Sequence, residues 1–139
     1  MQDSDIAQVL KTAKTIALVG ASDNPGRPSY GVMAYLLSQG YEVIPVSPKL
    51  AGTHLLGQPV VASLKEIGRH VDMVDVFRNT EAAYGVAQEA IEIGADVLWL
   101  QIGVINEQAA VLAQDAGLKV VMDRCPKIEI PRLGLHRAA

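Results

Sequence analysis

The sequence holds a single cysteine, so no internal disulfide can form, and that scarcity fits a reducing compartment. No apolar run approaches the roughly 20 residues that a helix needs to span a bilayer. The first stretch, MQDSDIAQVLKTAK, is acidic and then amphipathic, without the basic start and apolar centre of a secretory signal. Charge is sparse as well: the net value is −3, with no long block of either sign, so the electrostatic footprint of a nucleic-acid binder is missing. These absences lead us to expect a soluble cytoplasmic protein that engages neither nucleic acid nor membrane. Apolar residues, by contrast, are plentiful. They make up half of the 139 positions, enough to close the core of one domain spanning residues 1–139.

Glycine punctuates the chain in a recurring way. The segments YLLSQG, AIEIG and LAQDAG each run straight into a strand-like stretch. Gly40, Gly94 and Gly117 stand where a helix C-terminus calls for a left-handed residue. Ahead of two of them the spacing is helical: Val86, Ala87, Ala90 and Ile91 share one face, as do Ala109, Leu112, Ala113 and Ala116. Asn79 and Asn106 are positioned as N-caps, Ser63 with Glu66 reads as a capping box, and Ile6, Val9, Leu10 and Ala13 stripe an opening helix over about 4–13. Strands are predicted at 15–20, 41–44, 71–77, 96–101 and 118–122. They are continuous apolar runs rather than alternations, as expected when helices cover both faces of a parallel sheet. The alternation of strand and helix predicts an α/β, doubly wound, five-stranded sheet with right-handed crossovers and strand order 3-2-1-4-5.

Between the first strand and the next helical pattern lies LVGASDNPGRPSYGV, residues 18–32. In an open parallel sheet, ligands bind beyond the carboxyl ends of the strands where the order reverses, and this loop lies there. Backbone amides and the positive end of the following helix favour an anion, most commonly a phosphate. Ala21 and Ser22 are small enough to allow close approach, and Arg27 offers a fork suited to phosphate oxygens. Pro25 and Pro28 stiffen the loop and reduce the entropy lost on binding. A plain tight turn would account for Gly-Ala-Ser alone, but about nine residues is long for a connection that usually takes 2–6.

The dinucleotide fingerprint G-x-G-x-x-G is absent after Gly20. So is the carboxylate that NAD binders place near the end of the second strand. That strand runs instead into Pro45-Val46-Ser47-Pro48-Lys49. Because proline cannot donate to a ladder, regular pairing is expected to end near Ile44. The residues from Pro45 to Pro48 would then form a stiff lip, with Lys49 either an exposed charge or a partner for a further phosphate.

The stretches VGASDNPGRPSYGV, GYEVIPVSPK, VDMVDVFRN, VLWLQIGVIN and AGLKVVMDRCPKIE, taken in this order and spacing, resemble the small single-domain CoA-binding proteins. The fold of that family matches the CoA-binding domain of the succinyl-CoA synthetase alpha subunit. The resemblance covers nearly the whole chain. It implies a Rossmann-like fold and coenzyme A, or an acyl-CoA, as ligand. It further implies ligand contacts at Gly20, Ala21, Ser22, Arg27, Ser29, Pro45, Val46, Ser47, Pro48, Lys49, Phe77, Arg78, Gln101, Ile102 and Gly103. The synthetase adds a second domain with a phosphorylated histidine and a nucleotide-binding partner subunit; neither is expected here. Coenzyme A suits the loop and lip, with a pyrophosphate for the first loop and a 3′-phosphate for Lys49 or Arg27. Val46 and Pro48 would offer its adenine an apolar slot.

No catalytic constellation and no metal site emerge from spacing. His54, His70 and His136 lie far apart, without metal-ligand intervals, and no serine has an evident base or nucleophile elbow. Cys125 follows the fifth strand with Arg124 and Lys127 beside it. It reads either as a small buried residue or as a thiol able to meet that of coenzyme A. Asp123 and Arg124 could pair to fix the C-terminal segment. Arg78 could reach a ligand or cap a helix, and Trp99 reads as core. Two functional classes stand. One is a non-catalytic CoA-binding carrier, sensor or regulatory module awaiting an unidentified protein partner. The other is an NAD(P) oxidoreductase or a subunit of an acyl-CoA ligase.

Overall fold

The apolar runs pair side by side, all parallel, as one five-stranded sheet. The computed structural model describes residues 1–136. In chain order the elements are α1 (Asp3–Thr12), β1 (Thr15–Val19), α2 (Pro28–Ser38), β2 (Glu42–Val46), a hairpin of β3 (His54–Leu55) and β4 (Gln58–Pro59), and a 3-10 turn at Leu64–Ile67. These are followed by β5 (Met73–Val76), α3 (Thr80–Glu92), β6 (Val97–Leu100), α4 (Glu107–Asp115), β7 (Lys119–Val121) and α5 (Pro126–Arg132).

The order across the sheet is β2-β1-β5-β6-β7, which corrects the expected 3-2-1-4-5. Counting these five strands alone, it is 2-1-3-4-5, the other common doubly wound order. Burial explains the difference. All four residues of β5 are buried, as a central strand requires, whereas β2 begins with the exposed Glu42 and carries a proline. The place beyond β2 is taken only by an isolated parallel bridge between Val46 and Val61. Pairing also does not stop at Ile44. Pro45 sits within β2, in register with Leu18, because the carbonyl of Pro45 faces away from β1 and accepts from the Val61 N–H at 3.1 Å. Its missing donor therefore points off the sheet edge, where the ladder with β1 loses nothing.

Alternate residues of each strand serve two cores. On one face Ala17, Val19, Val74, Val76, Leu98 and Leu100 pack against the alanine-rich stripes of α3 and α4. On the other Ile16, Leu18, Met73, Trp99 and Val121 meet Ile6, Leu10, Met33, Leu36 and Ile130 from α1, α2 and α5. Helices thus cover both faces, and truncating a fully buried Leu36 to alanine would cost about 2–5 kcal/mol. Trp99 is fully buried, as predicted, and its indole N–H donates to the Arg124 carbonyl at 2.8 Å.

Asn79 and Asn106 cap α3 and α4, accepting the N–H groups of Ala82 at 2.8 Å and Ala109 at 2.9 Å. The Ser63 box does not form. Glu66 instead accepts the Ala62 N–H at 2.8 Å, and only one 3-10 turn follows. Helix α5 was not read from the sequence. The buried Glu129 and Arg132 hold it: Arg132 donates to Glu129 at 2.7 Å and bridges to Asp3 of α1 at 2.9 and 3.0 Å. No helix among the described residues is long and apolar enough to cross a membrane.

Candidate functional site

At the end of β1, Gly20 adopts φ +92°, and a Cβ built there would lie 2.2 Å from the Phe77 carbonyl oxygen. Only glycine lets the two backbones pass so closely. The loop beyond it is held by its own side chains. The Ser22 hydroxyl accepts the Asn24 N–H at 3.1 Å, the Asn24 side chain accepts the Gly26 N–H at 2.9 Å, and the Asn24 carbonyl accepts from Arg27 at 3.0 Å. Such turns fix the path of the chain before any ligand arrives, which lowers the entropy cost of binding.

The loop delivers α2 with Pro28 in its first turn and Arg27 as N-cap residue, but no side chain caps it. Its first turn also holds no acid, whereas the first turns of α1, α3, α4 and α5 each contain one. The first turn of α2 thus sets no carboxylate of its own against the positive end of its dipole.

It opens onto a cleft of about 1110 Å³ along the carboxyl edge of the sheet. From the β1 side come Gly20, Ala21, Ser22, Arg27 and the buried Ser29. From the end of β2 come Val46, Ser47, Pro48 and Lys49. Phe77 and Arg78 follow β5, and Gln101 and Ile102 follow β6. Thirteen of the fifteen predicted site residues therefore line one cleft. Pro45 does not, being buried in β2 below the cleft. Gly103 does not either: its N–H donates to Asp123 at 2.8 Å and its carbonyl accepts from Thr80 at 3.4 Å, turning it away. That bond also engages Asp123, and Arg124 lies 3.6 Å from Glu129, so the expected Asp123–Arg124 pair is replaced by two others.

Reasoning from the sequence missed Ser63, Glu89, Val104 and Ile128, which also line the cleft. They reach it from the 3-10 turn, α3, the loop after β6 and α5, and no local motif marks them. Cys125 lines it too, buried at 8% exposure.

The ionisable cleft residues are Arg27, Lys49, Arg78, Glu89 and Cys125, so three cations face one acid in a chain of net charge −3. All three cations come from the β1, β2 and β5 side. The β6 and α5 side contributes Gln101, Ile102, Val104, Cys125 and Ile128. Gln101 is 6% exposed, and its side-chain oxygen has no hydrogen-bond partner among the described residues. A buried acceptor left unpaired is costly, and a donor entering the cleft would relieve it. Two residues before Phe77, Asp75 is fully buried between Leu18 and Trp99 with both carboxylate oxygens unpartnered, and burial pushes its pKa well above the ordinary value.

Comparison with known proteins accords with this geometry. Residues 14–131 match the model of a family described as a CoA binding domain. The chain belongs to this CoA binding domain family. Among its relatives, the uncharacterized protein YneT of Bacillus subtilis is 42% identical over 125 residues, 90% of this chain and 91% of that one. A solved Thermus thermophilus protein, cell-free ID.343, superposes with a TM-score of 0.91 at 39% identity, covering 96% of this chain and 99% of its own. The acetyl-coenzyme A synthetase 1 of Ca. Korarchaeum cryptofilum superposes with a TM-score of 0.69 over 79% of this chain and 26% of that one. At 20% identity it shows a shared fold alone. Within the CoA binding domain family this member presents its cations, its uncapped helix and its unpaired glutamine in one cleft.

Proposed function

We propose that the cleft binds coenzyme A or an acyl-CoA and that the chain acts as a non-catalytic carrier, sensor or regulatory module. The observation that carries this reading is one juxtaposition. The uncapped, acid-free start of α2 meets Arg27, Lys49 and Arg78 in a cleft whose buried Gln101 oxygen awaits a donor. The pyrophosphate lies against the first loop and the α2 N-terminus, where oriented N–H groups and a guanidinium stabilise it. The 3′-phosphate meets Lys49, and the adenine rests on Val46 and Pro48. The pantetheine arm runs along Phe77 toward β6, where one of its amide N–H groups donates to Gln101. The thiol or thioester end lies toward Ile102, Cys125 and Ile128.

An NAD-type dinucleotide fits less well, since the residues after β2 offer a lysine where its ribose hydroxyls need a carboxylate. Family membership supports the coenzyme A reading in general terms. Thermal unfolding with each ligand separates the two readings. A ligand at about 100 times its dissociation constant adds about 2.7 kcal/mol of stability. Coenzyme A is expected to raise Tm well above the value with NAD; equal shifts, or none with coenzyme A, would refute this assignment.

A further inference from the structure

The opposite, amino-terminal edge of the sheet holds a second cluster of donor atoms. We propose that His70, Asp72 and Asp96 form a site for a single zinc ion. The sequence separates His70 from Asp96 by 26 positions, but the sheet brings them together. Asp72 and Asp96 immediately precede β5 and β6, and the Asp96 and Val97 N–H groups donate to the Asp72 carbonyl at 3.1 and 3.0 Å. The two aspartates therefore stand side by side on rigid backbone rather than on loop tips.

Asp72 is also oriented from outside the cluster. Its Oδ2 accepts the N–H groups of Lys14 and Thr15, both at 2.9 Å, which leaves Oδ1 facing His70. His70 Nε2 lies 3.4 Å from Asp72 Oδ1 and 3.0 Å from Asp96 Oδ2, and the three donor atoms all fall within 4.8 Å of one another. Around a tetrahedral zinc with bonds of about 2.0–2.1 Å, adjacent ligand atoms are about 3.3–3.4 Å apart. The 3.4 Å spacing to Asp72 matches that edge, and the 3.0 Å spacing to Asp96 falls a little inside it.

Charge favours the ion over a proton. A single proton on Nε2 serves Asp96 Oδ2 at 3.0 Å and reaches Asp72 Oδ1 only at 3.4 Å. A dication bound by one neutral imidazole and two carboxylates is neutral overall. Mixed nitrogen and oxygen donors in a compact set favour zinc over calcium or magnesium, which take all-oxygen shells. Water would complete the shell, and the partial exposure of all three side chains gives the ion a path in. Binding there would tie the starts of β5 and β6 together, far from the cleft, so this site does not depend on the coenzyme A reading.

The test is a zinc titration of chelator-stripped full-length protein by calorimetry, paired with cobalt substitution read by visible absorption. We expect one equivalent of zinc, and intense tetrahedral cobalt bands. His70→Gln and Asp96→Asn should each weaken zinc at least about tenfold and bleach the cobalt bands. Asp72 is left intact because its carboxylate also holds the start of β1. His54→Gln and His136→Gln should leave both signals unchanged. No binding, binding that survives both His70→Gln and Asp96→Asn, or binding lost in the His54 or His136 variants would each overturn the proposal.

Discussion

Replacing Asp75 by asparagine removes one ionisable group from the centre of the sheet while keeping its shape. In the unfolded chain this carboxyl ionises near its ordinary value of 3.8. In the folded chain burial raises it well above that value, and no cation draws it back. Between the two values the unfolded state has released a proton that the native state keeps. Native stability attributable to Asp75 is therefore fully present below the unfolded value and is lost as pH rises, by about 1.4 kcal/mol per pH unit. The loss levels off once the native carboxyl itself ionises. Asparagine cannot titrate, and every other group titrates alike in both proteins and cancels in the difference. Urea unfolding of both proteins, beginning at about pH 5, measures that difference directly. The stability of Asp75→Asn relative to the parent should climb with pH, by up to about 1.4 kcal/mol per unit, while the native carboxyl keeps its proton. A buried amide brings a pH-independent cost of its own, so the slope rather than the offset is diagnostic. A difference that stays flat with pH would mean that Asp75 is paired in the native state, and the reasoning would fail.

Gly20→Ala should destabilise the fold by about 3 kcal/mol in chemical unfolding, since its Cβ meets the Phe77 carbonyl and its backbone is left-handed; a loss within error would show that the two strands can separate freely. Arg132→Gln should lower Tm more than Asp3→Asn does, because only the first strips the buried Glu129 of its main partner; equal losses would assign the stability to the α1–α5 bridge, which both variants break. Lys49→Ala should erase any preference for coenzyme A over dephospho-coenzyme A in a calorimetric titration, and a preference that survives would return Lys49 to bulk solvent.

Local chemistry made much of this fold legible. Continuous runs such as VDMVDVF announce buried parallel strands, and Asn79 and Asn106 sit where caps belong. Edge and centre were harder to tell apart, because strand order depends on which faces find partners. Pro45 shows this: it forbids a donor only on one side, and at the sheet edge that side is outermost. The cleft walls contributed by β1, β2, β5 and β6 were readable because each follows a strand end. Those from α3 and α5 were not, since Glu89 and Ile128 reach the cleft only through packing. Gly103 lies off the cleft for a related reason, its N–H being drawn to Asp123, 20 positions away. The cluster at His70 was invisible to spacing alone, as its donors meet through β-register and not through a motif.

Amide chemical shifts test most directly whether the cleft is the coenzyme A site. Coenzyme A titrated into isotope-labelled protein should move the amides of Ala21, Ser22, Ser47, Arg78 and Gln101 along saturable curves sharing one dissociation constant. Tyr84 and Val111, on α3 and α4, and Asp96 at the opposite sheet edge should stay in place. Absence of saturable shifts, or shifts gathered away from the residues that line the cleft, Cys125 and Ile128 included, would contradict that assignment.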